Sequence, residues 1–386
     1  MRLRELLVVA EIAVACVLLV GAGLFIRSFQ RLLDVNPGFR PEQAVSWRIE
    51  TGRRFPTSAQ QAPYYEKLLQ QIEAIPGVES AGLTDTLPLG RNRSWGIRAK
   101  GESYEPGQIP IAFPRIIGRG YLEAMRIPLR AGRFFTANDT AESEEVMIVN
   151  ETMARRLWPG RDAIGQVALL GGNREWRVVG VVGDVRHSAL EEAAGMEMYL
   201  PIPKIGASSV DLVVRAKLPV KALVSRVRAA LKEIDPTLPT AEFQTLGEIV
   251  DRAVSPKRLI TLLLGGFSWL ALVLASLGIY GVISYSVSQR TQEMGIRLAI
   301  GSPRTAVLKL IIGEGMKLTA MGVVIGLIVS LVLTRTMQAL LFDVSATDPL
   351  TFAANAFLLT AVAALACSLP ARRAAKIDPM EALRYE

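Results

Sequence analysis

Two cysteines and one histidine are all that 386 residues supply of the softer metal ligands. Cys16 and Cys367 both lie within apolar runs, so no disulfide framework can staple a water-exposed domain, which must rely on its own core. His187 alone cannot build a histidine-based metal site. No G-x-x-x-x-G-K-[ST] segment occurs, which excludes a Walker phosphate loop on this chain. Gly118-Arg119-Gly120 lacks the third glycine of a dinucleotide fingerprint and reads as a turn. There is no G-x-S-x-G elbow, and Asp184, His187 and Ser188 stand too close in sequence to converge as a triad. His187 is therefore expected on a surface loop. The chain is expected to carry no catalytic residue, no metal site and no cofactor of its own. Long basic runs are missing too. Residues 27–257 hold 31 basic and 27 acidic side chains, the remainder 13 and 9, so the net charge of +8 divides evenly. Nothing here neutralises a nucleic-acid backbone.

What the chain has in abundance is apolar sequence: half of its residues are hydrophobic, yet 21% are charged, with a mean hydropathy of +0.30. That mixture calls for a membrane part and a water-exposed part. Four apolar runs, within 6–26, 259–287, 310–333 and 350–369, are long enough to cross a hydrocarbon core of about 30 Å at 1.5 Å per residue. The first contains Glu11, read as held near one interface. The third opens with Glu314 and Lys317, spaced to pair at i,i+3. Its length and Glu11 argue against reading the first run as a cleaved signal peptide. Basic residues gather before the first run (Arg2, Arg4), between the second and third (Arg290, Arg297, Arg304, Lys309) and after the fourth (Arg372, Arg373, Lys376, Arg384). By the positive-inside rule both termini and the 288–308 loop are cytoplasmic, and residues 27–257 lie outside.

The expected fold is thus a membrane protein with four transmembrane α-helices and a large α+β extracytoplasmic domain inserted between spans 1 and 2. Its parts are the first helix (1–26), the outer domain (27–257, two lobes) and a permease-like domain (258–386) with a cytoplasmic tail at 370–386. Within the outer domain, extended segments are predicted at 44–49, 78–83, 146–149, 176–182 and 210–215, and helices at 58–74, 151–158 and 220–234. Residues 86–143, rich in Gly, Pro and Arg, are expected to form the second lobe.

Two features bear on mechanism. Gly322 and Gly326 form a GxxxG face on the third span, where another backbone can approach closely, within this chain or on a second copy. Residues 288–301 leave the second span and start a short helix with Glu293 and Arg297 at i,i+4, Met294, Leu298 and Ala299 on an apolar side, and Gly301 as terminator. A short amphipathic helix of this kind suits a docking element for a soluble partner.

The stretch Glu293-Met294-Gly295-Ile296-Arg297-Leu298-Ala299-Ile300-Gly301 resembles the E-x-G-[IL]-R-x-A-[LI]-G signature of FtsX-like permeases of the MacB type. The segment Pro370-Ala371-Arg372-Arg373 through Arg384 resembles the family's P-x-R-R-A-x-x-[IV]-x-P-x-x-A-L-R ending, and 75–81 and 178–186 are similar to its periplasmic core domain. The resemblance covers essentially the whole chain. It implies a non-catalytic ABC transporter permease in the inner membrane, paired with a second permease subunit and driven by a separate ABC ATPase that binds the ATP. Glu293, Met294, Gly295, Arg297 and Gly301 would lie in the ATPase-coupling element. The work would be done in the periplasm, as efflux or extraction by mechanotransmission, with a periplasmic adaptor as a further partner and lipid around the spans. The alternative is an FtsX-like regulator of a cell-wall hydrolase or sensor. Residues 150–160 look like duplicated-type permeases, of which this chain resembles the second half standing alone.

Overall fold

Apolar periodicity and strand propensity divide the chain into ten helices and twelve strands among the described residues of the computed structural model, which are 3–52, 54–105, 107–236, 243–300 and 302–375. In order come α1 (Leu3–Leu33), β1 (Ala44–Glu50), α2 (Ser58–Glu73), β2 (Val78–Thr84), β3 (Trp95–Gly96), β4 (Arg98–Ala99), β5 (Ile111–Ile117), α3 (Tyr121–Ala124), β6 (Leu129–Gly132), β7 (Val146–Asn150) and α4 (Glu151–Leu157). There follow β8 (Val167–Leu170), β9 (Arg174–Val182), β10 (Glu197–Pro201), α5 (Ile202–Ile205), β11 (Ser209–Ala216), α6 (Val220–Ile234), β12 (Phe243–Thr245), α7 (Leu246–Gln289), α8 (Thr291–Ala299), α9 (Arg304–Thr336) and α10 (Pro349–Ala374). Two compact units result, Val35–Ser255 and the combination of Met1–Asp34 with Pro256–Glu386.

The helical unit holds the four helices long and apolar enough to cross a membrane: α1, α7, α9 and α10. They pack around a core that includes Val8, Ile12 and Cys16 of α1, Ile279 and Ile283 of α7, Ile311 and Val323 of α9, and Ala363 and Cys367 of α10. Apolar side chains elsewhere on these helices stay exposed, among them Leu262, Phe267 and Trp269 of α7, as suits helices solvated by lipid. At one end of α1, Arg27 pairs with Asp348, the N-cap of α10, and Arg31 reaches Asp343 at 2.5 Å. Ser28 Oγ accepts a hydrogen bond from Phe342 N there.

The other unit is a large mixed α/β domain between the first and second long helices. Its sheet runs β12-β1-β11-β2-β5-β10-β7-β9-β8-β4, with β3 on β5 and β6 on β9. β1 and β11 pair antiparallel over seven residues, whereas β10 with β5 and β7 with β9 are parallel. Helices α2 and α6 cover β1, β2 and β11 through Leu68, Leu69, Ile72, Leu223 and Val227, while Met153, Leu157 and Trp158 fill the core beside β7, β8 and β9. Residues 86–143, expected as a second lobe, contribute β3, β4, β5 and β6 to this sheet, with β5 at its middle. The turn at 118–120 is real: Gly120 has φ +76° and a side chain there would strike the carbonyl of Ala81, so only glycine fits.

Burial has an electrostatic consequence on β11. Asp211 is enclosed between Arg48, which donates to it at 2.6 Å, and the region of Asp85. Burial lifts its carboxyl from the ordinary 3.8 to about 6, against the pull of Arg48, with Asp85 adding to the lift. The folded chain therefore holds this proton where the unfolded chain has released it. The resulting stability is complete below about 4 and is lost as pH rises through about 6, up to about 2–3 kcal/mol for a shift of this size. Asp211→Asn should remove that slope. The check is the difference in unfolding free energy between wild type and variant across pH 4–7; an unchanged difference contradicts the assignment.

Candidate coupling site

The helix that ends at Gln289 is followed almost at once by α8, and hydrogen bonds join the two. Arg290 N and Thr291 Oγ1 both donate to Val287 O at 3.1 Å, and Met294 N donates to Arg290 O at 3.0 Å. Arg290 also crosses to α9, where its guanidinium meets Glu314 Oε1 at 2.6 Å. Glu314 thus finds its cation on the α7–α8 junction rather than at Lys317, the neighbour expected from spacing. A bridge between two elements fixes the angle at which α8 leaves α7, which an i,i+3 pair within α9 could not do.

One side of α8 faces inward. Met294 is 4% exposed and joins Val287, Val307, Ile311, Ala371 and Ala374 in the helical core. Gly295 is buried beside it, turned toward its own bundle rather than outward. The opposite side offers Glu293 and Arg297, paired at 2.6 Å with each side chain 50% exposed, together with Ile296 and Ile300, 42% and 81% exposed. Ser302 N donates to Arg297 O at 3.0 Å and Pro303 caps α9, so the far end of α8 is tied down as well. Gly301 lies outside the described residues, as do the side chains of Leu298 and Ala299 and the motif residues from Lys376 onward. Pro370 and Ala371 are buried on α10, and Arg373 donates to Tyr280 Oη at 3.1 Å.

The GxxxG pair of α9 faces α1. A Cβ at Gly322 would lie 2.7 Å from Ile12 Cβ and 3.0 Å from Val9 O; one at Gly326 would lie 2.5 Å from Cys16 Cβ and 2.9 Å from Ala13 O. At each glycine the nearest approach is below what real Cβ atoms show, so the two backbones touch because these residues are glycine. Glu11 sits one face round on α1, against Gly278 of α7, with Oε2 buried and no hydrogen-bond partner among the described residues.

Of the acid–base candidates, His187 departs from its expected place. His187 is buried, not on the surface: its Nε2 lies 3.0 Å from Glu197 Oε2. Glu197 is equally buried, accepts from Tyr199 Oη at 3.1 Å and stands 3.8 Å from the enclosed Arg115. Burial lowers the tendency of His187 to take up a proton, opposed by Glu197 and reinforced by Arg115. A buried charge needs such partners, and they come from β5 and β10, which local sequence around 187 could not reveal. Asp184 is engaged elsewhere, accepting from Thr152 N at 2.9 Å, while Ser188 Oγ accepts from Asn92. The Asp184–His187–Ser188 trio therefore does not assemble. Among the described residues no group of three His, Cys, Asp or Glu could hold a metal.

Residues 6–234 match the MacB-like periplasmic core domain, and residues 265–379 match the FtsX-like permease C-terminal family. The chain belongs to the MacB/FtsX family of ABC transporter permeases. It is a multi-pass membrane protein with a periplasmic domain. It is 28% identical over 283 residues to the macrolide export ATP-binding/permease protein MacB of Azoarcus sp. (strain BH72), covering 69% of this chain and 41% of that protein. It is 25% identical over 277 residues to the ABC transporter permease YknZ of Bacillus subtilis (strain 168), covering 70% of this chain and 69% of that protein. The chain thus spans about two fifths of that MacB. The crystal structure of the periplasmic region of MacB from Actinobacillus actinomycetemcomitans aligns with 57% of this chain and 96% of its own, at 15% identity and a TM-score of 0.39.

Proposed function

We propose that this permease couples ATP hydrolysis by a separate ABC ATPase to motion of its periplasmic domain, with α8 as the element that docks into the ATPase. The observation that carries this reading is the two-sidedness of α8. Met294 and Gly295 anchor it to the bundle, while the ion pair Glu293–Arg297 and the exposed Ile296 and Ile300 face away. A helix held by one face and presenting charge and isoleucine on the other suits a groove in a soluble partner. The periplasmic unit is inserted between Asp34 and Pro256, so α1 and α7 are its two covalent links to the helical unit. Force received at α8 reaches α7 directly, and reaches α1 through α9 and the glycine contact. A second permease subunit would lie along the exposed apolar faces, and the cargo would be moved from the periplasmic side, with an adaptor there.

Affinity purification of the solubilised chain from its own membrane should bring down an ABC ATPase, and recovery of the permease without one contradicts the reading. Orientation is tested separately. Single cysteines replacing the exposed Lys221 and Thr347 should react with an impermeant thiol reagent in intact cells, and one replacing Gln292 in α8 should not. Labelling at Gln292 from outside would invert the topology and remove α8 from the cytoplasm.

A further inference from the structure

The periplasmic sheet has a weak joint. β2 and β5 share one ladder pair, Thr84 with Ile117, supplemented by Gly118 N to Leu83 O at 2.8 Å and by Asp85 N to Ile116 O and Ile116 N to Asp85 Oδ1, both at 2.9 Å. On one side of this joint α2 packs on β1, β2 and β11. On the other, the segment after β6 is tied to β9 by Arg133 N donating to Val179 O at 2.9 Å. A cleft of about 440 Å³ opens across the joint, with α2 as one wall and residues 135–142 as the other. Clefts between structural halves, in the range of about 300–1,000 Å³, are where small molecules bind.

Both walls are braced before any ligand arrives. Arg119 is gripped by Glu66, through Nε at 2.9 Å, and by Glu73, through Nη1 at 3.0 Å. Asp139 receives two hydrogen bonds from Arg133, at 2.8 and 2.9 Å, and one from Thr136 N at 2.7 Å. Lys204 holds the carbonyls of Ala141 and Ser143. The floor is apolar, made by Leu69, Phe135 and Ile202. The charge on the lining is lopsided. Its one cation, Arg119, is shared by two carboxylates, while Glu142 has no ion-pair partner among the described residues. Among the described lining residues no cation is free of a carboxylate, and Lys204 spends its ammonium on the carbonyls of Ala141 and Ser143, so a cation entering the cleft meets the unpaired carboxylate of Glu142.

We propose that this cleft binds a small amphipathic cation, its apolar body over Leu69, Phe135 and Ile202 and its charged group toward Glu66 and Glu142. Binding is read without any ATPase, so its failure is distinct from failure of the coupling reading.

The test uses the full chain in lipid nanodiscs, with empty nanodiscs as blank, and two fluorescent probes of similar size, cationic 9-aminoacridine and anionic 1-anilinonaphthalene-8-sulfonate. The expected result is saturable binding of 9-aminoacridine that Ala62→Trp abolishes by filling the cleft from α2. Thr140→Trp, which fills it from the other wall, should do the same and guards against misfolding of the first variant. Glu142→Gln should weaken binding about two- to fivefold, the worth of an exposed ion pair, and the anionic probe should respond to none of these changes. No binding above the blank, or binding that survives both tryptophans, overturns the site. Equal binding of the anion, with Glu142→Gln silent, overturns the charge assignment.

Discussion

Arg297→Glu is expected to leave a chain that inserts and folds normally but no longer binds or stimulates its ATPase. The native pair is solvent-exposed on α8, with each partner half-buried at most. Within the helix the substitution replaces an attraction by a repulsion worth a few tenths of a kcal/mol, about 0.2–0.5. Nothing in the bundle core is touched, because the neighbour that anchors α8 is Met294. At an interface the same side chain counts for far more. Removing one member of a desolvated charge pair costs about 2–5 kcal/mol, enough to lower affinity by roughly thirtyfold or more. Ile300→Asp should have a parallel effect, since Ile300 is 81% exposed and contributes nothing to its own bundle. Met294→Ala provides the contrast, losing stability by about 2–5 kcal/mol, as truncations of buried side chains do. The measurements are ATPase turnover with and without permease, co-purification, and thermal unfolding. If Arg297→Glu and Ile300→Asp both support wild-type turnover, α8 is a connector and the proposed coupling fails.

Gly326→Leu should unseat α1 from α9. The first added carbon would sit 2.5 Å from Cys16 Cβ and 2.9 Å from a main-chain carbonyl, that of Ala13. A side chain can rotate away; a helix backbone cannot, so the helices must separate along the contact. Overpacking typically costs about 1–3 kcal/mol, and here relief requires displacement of a whole helix, which places the cost at the upper end. Gly322→Leu should act alike through Ile12 and Val9, and the double variant should cost less than the sum because both act on one contact. Gly266→Leu on α7 is the control: nothing lies within 4 Å of its would-be Cβ, and leaving glycine favours the helix by up to about 1 kcal/mol. A Gly326→Leu chain that melts with wild type would show that the α1–α9 contact is absent in the membrane.

The four long helices and their order, with a large domain between the first and second, were legible from hydropathy alone, because a lipid-spanning helix is determined by some twenty consecutive residues. The strands at β1, β2, β7, β9 and β11 and the helices α2, α4 and α6 were legible for a similar reason: each carries its own periodicity. β5 and β10 were not. β5 contains Pro114, and β10, Glu197–Pro201, is buried throughout despite its glutamate. Neither looks like a strand until the other lies beside it. The α8 motif was visible as a pattern, and so was the Glu293–Arg297 pair, which needs only one helical turn.

Tertiary structure decided who meets whom. The spacing of Gly322 and Gly326 announces a close approach, but the partner, α1, stands at the opposite end of the chain. Glu314 has Lys317 within reach by spacing, yet Arg290 takes it because the α7–α8 junction brings a guanidinium to the carboxylate. Gly295, exposed or buried with equal ease from the sequence, turns inward since Met294 must. His187 lies in a loop by every local measure and is nonetheless enclosed, because Glu197 and Arg115 are delivered to it by two distant strands that pair in parallel. Local free energies of a few tenths of a kcal/mol per residue write the elements; the burial of charge and the exclusion of atoms from one another's volume act only once distant segments are assembled.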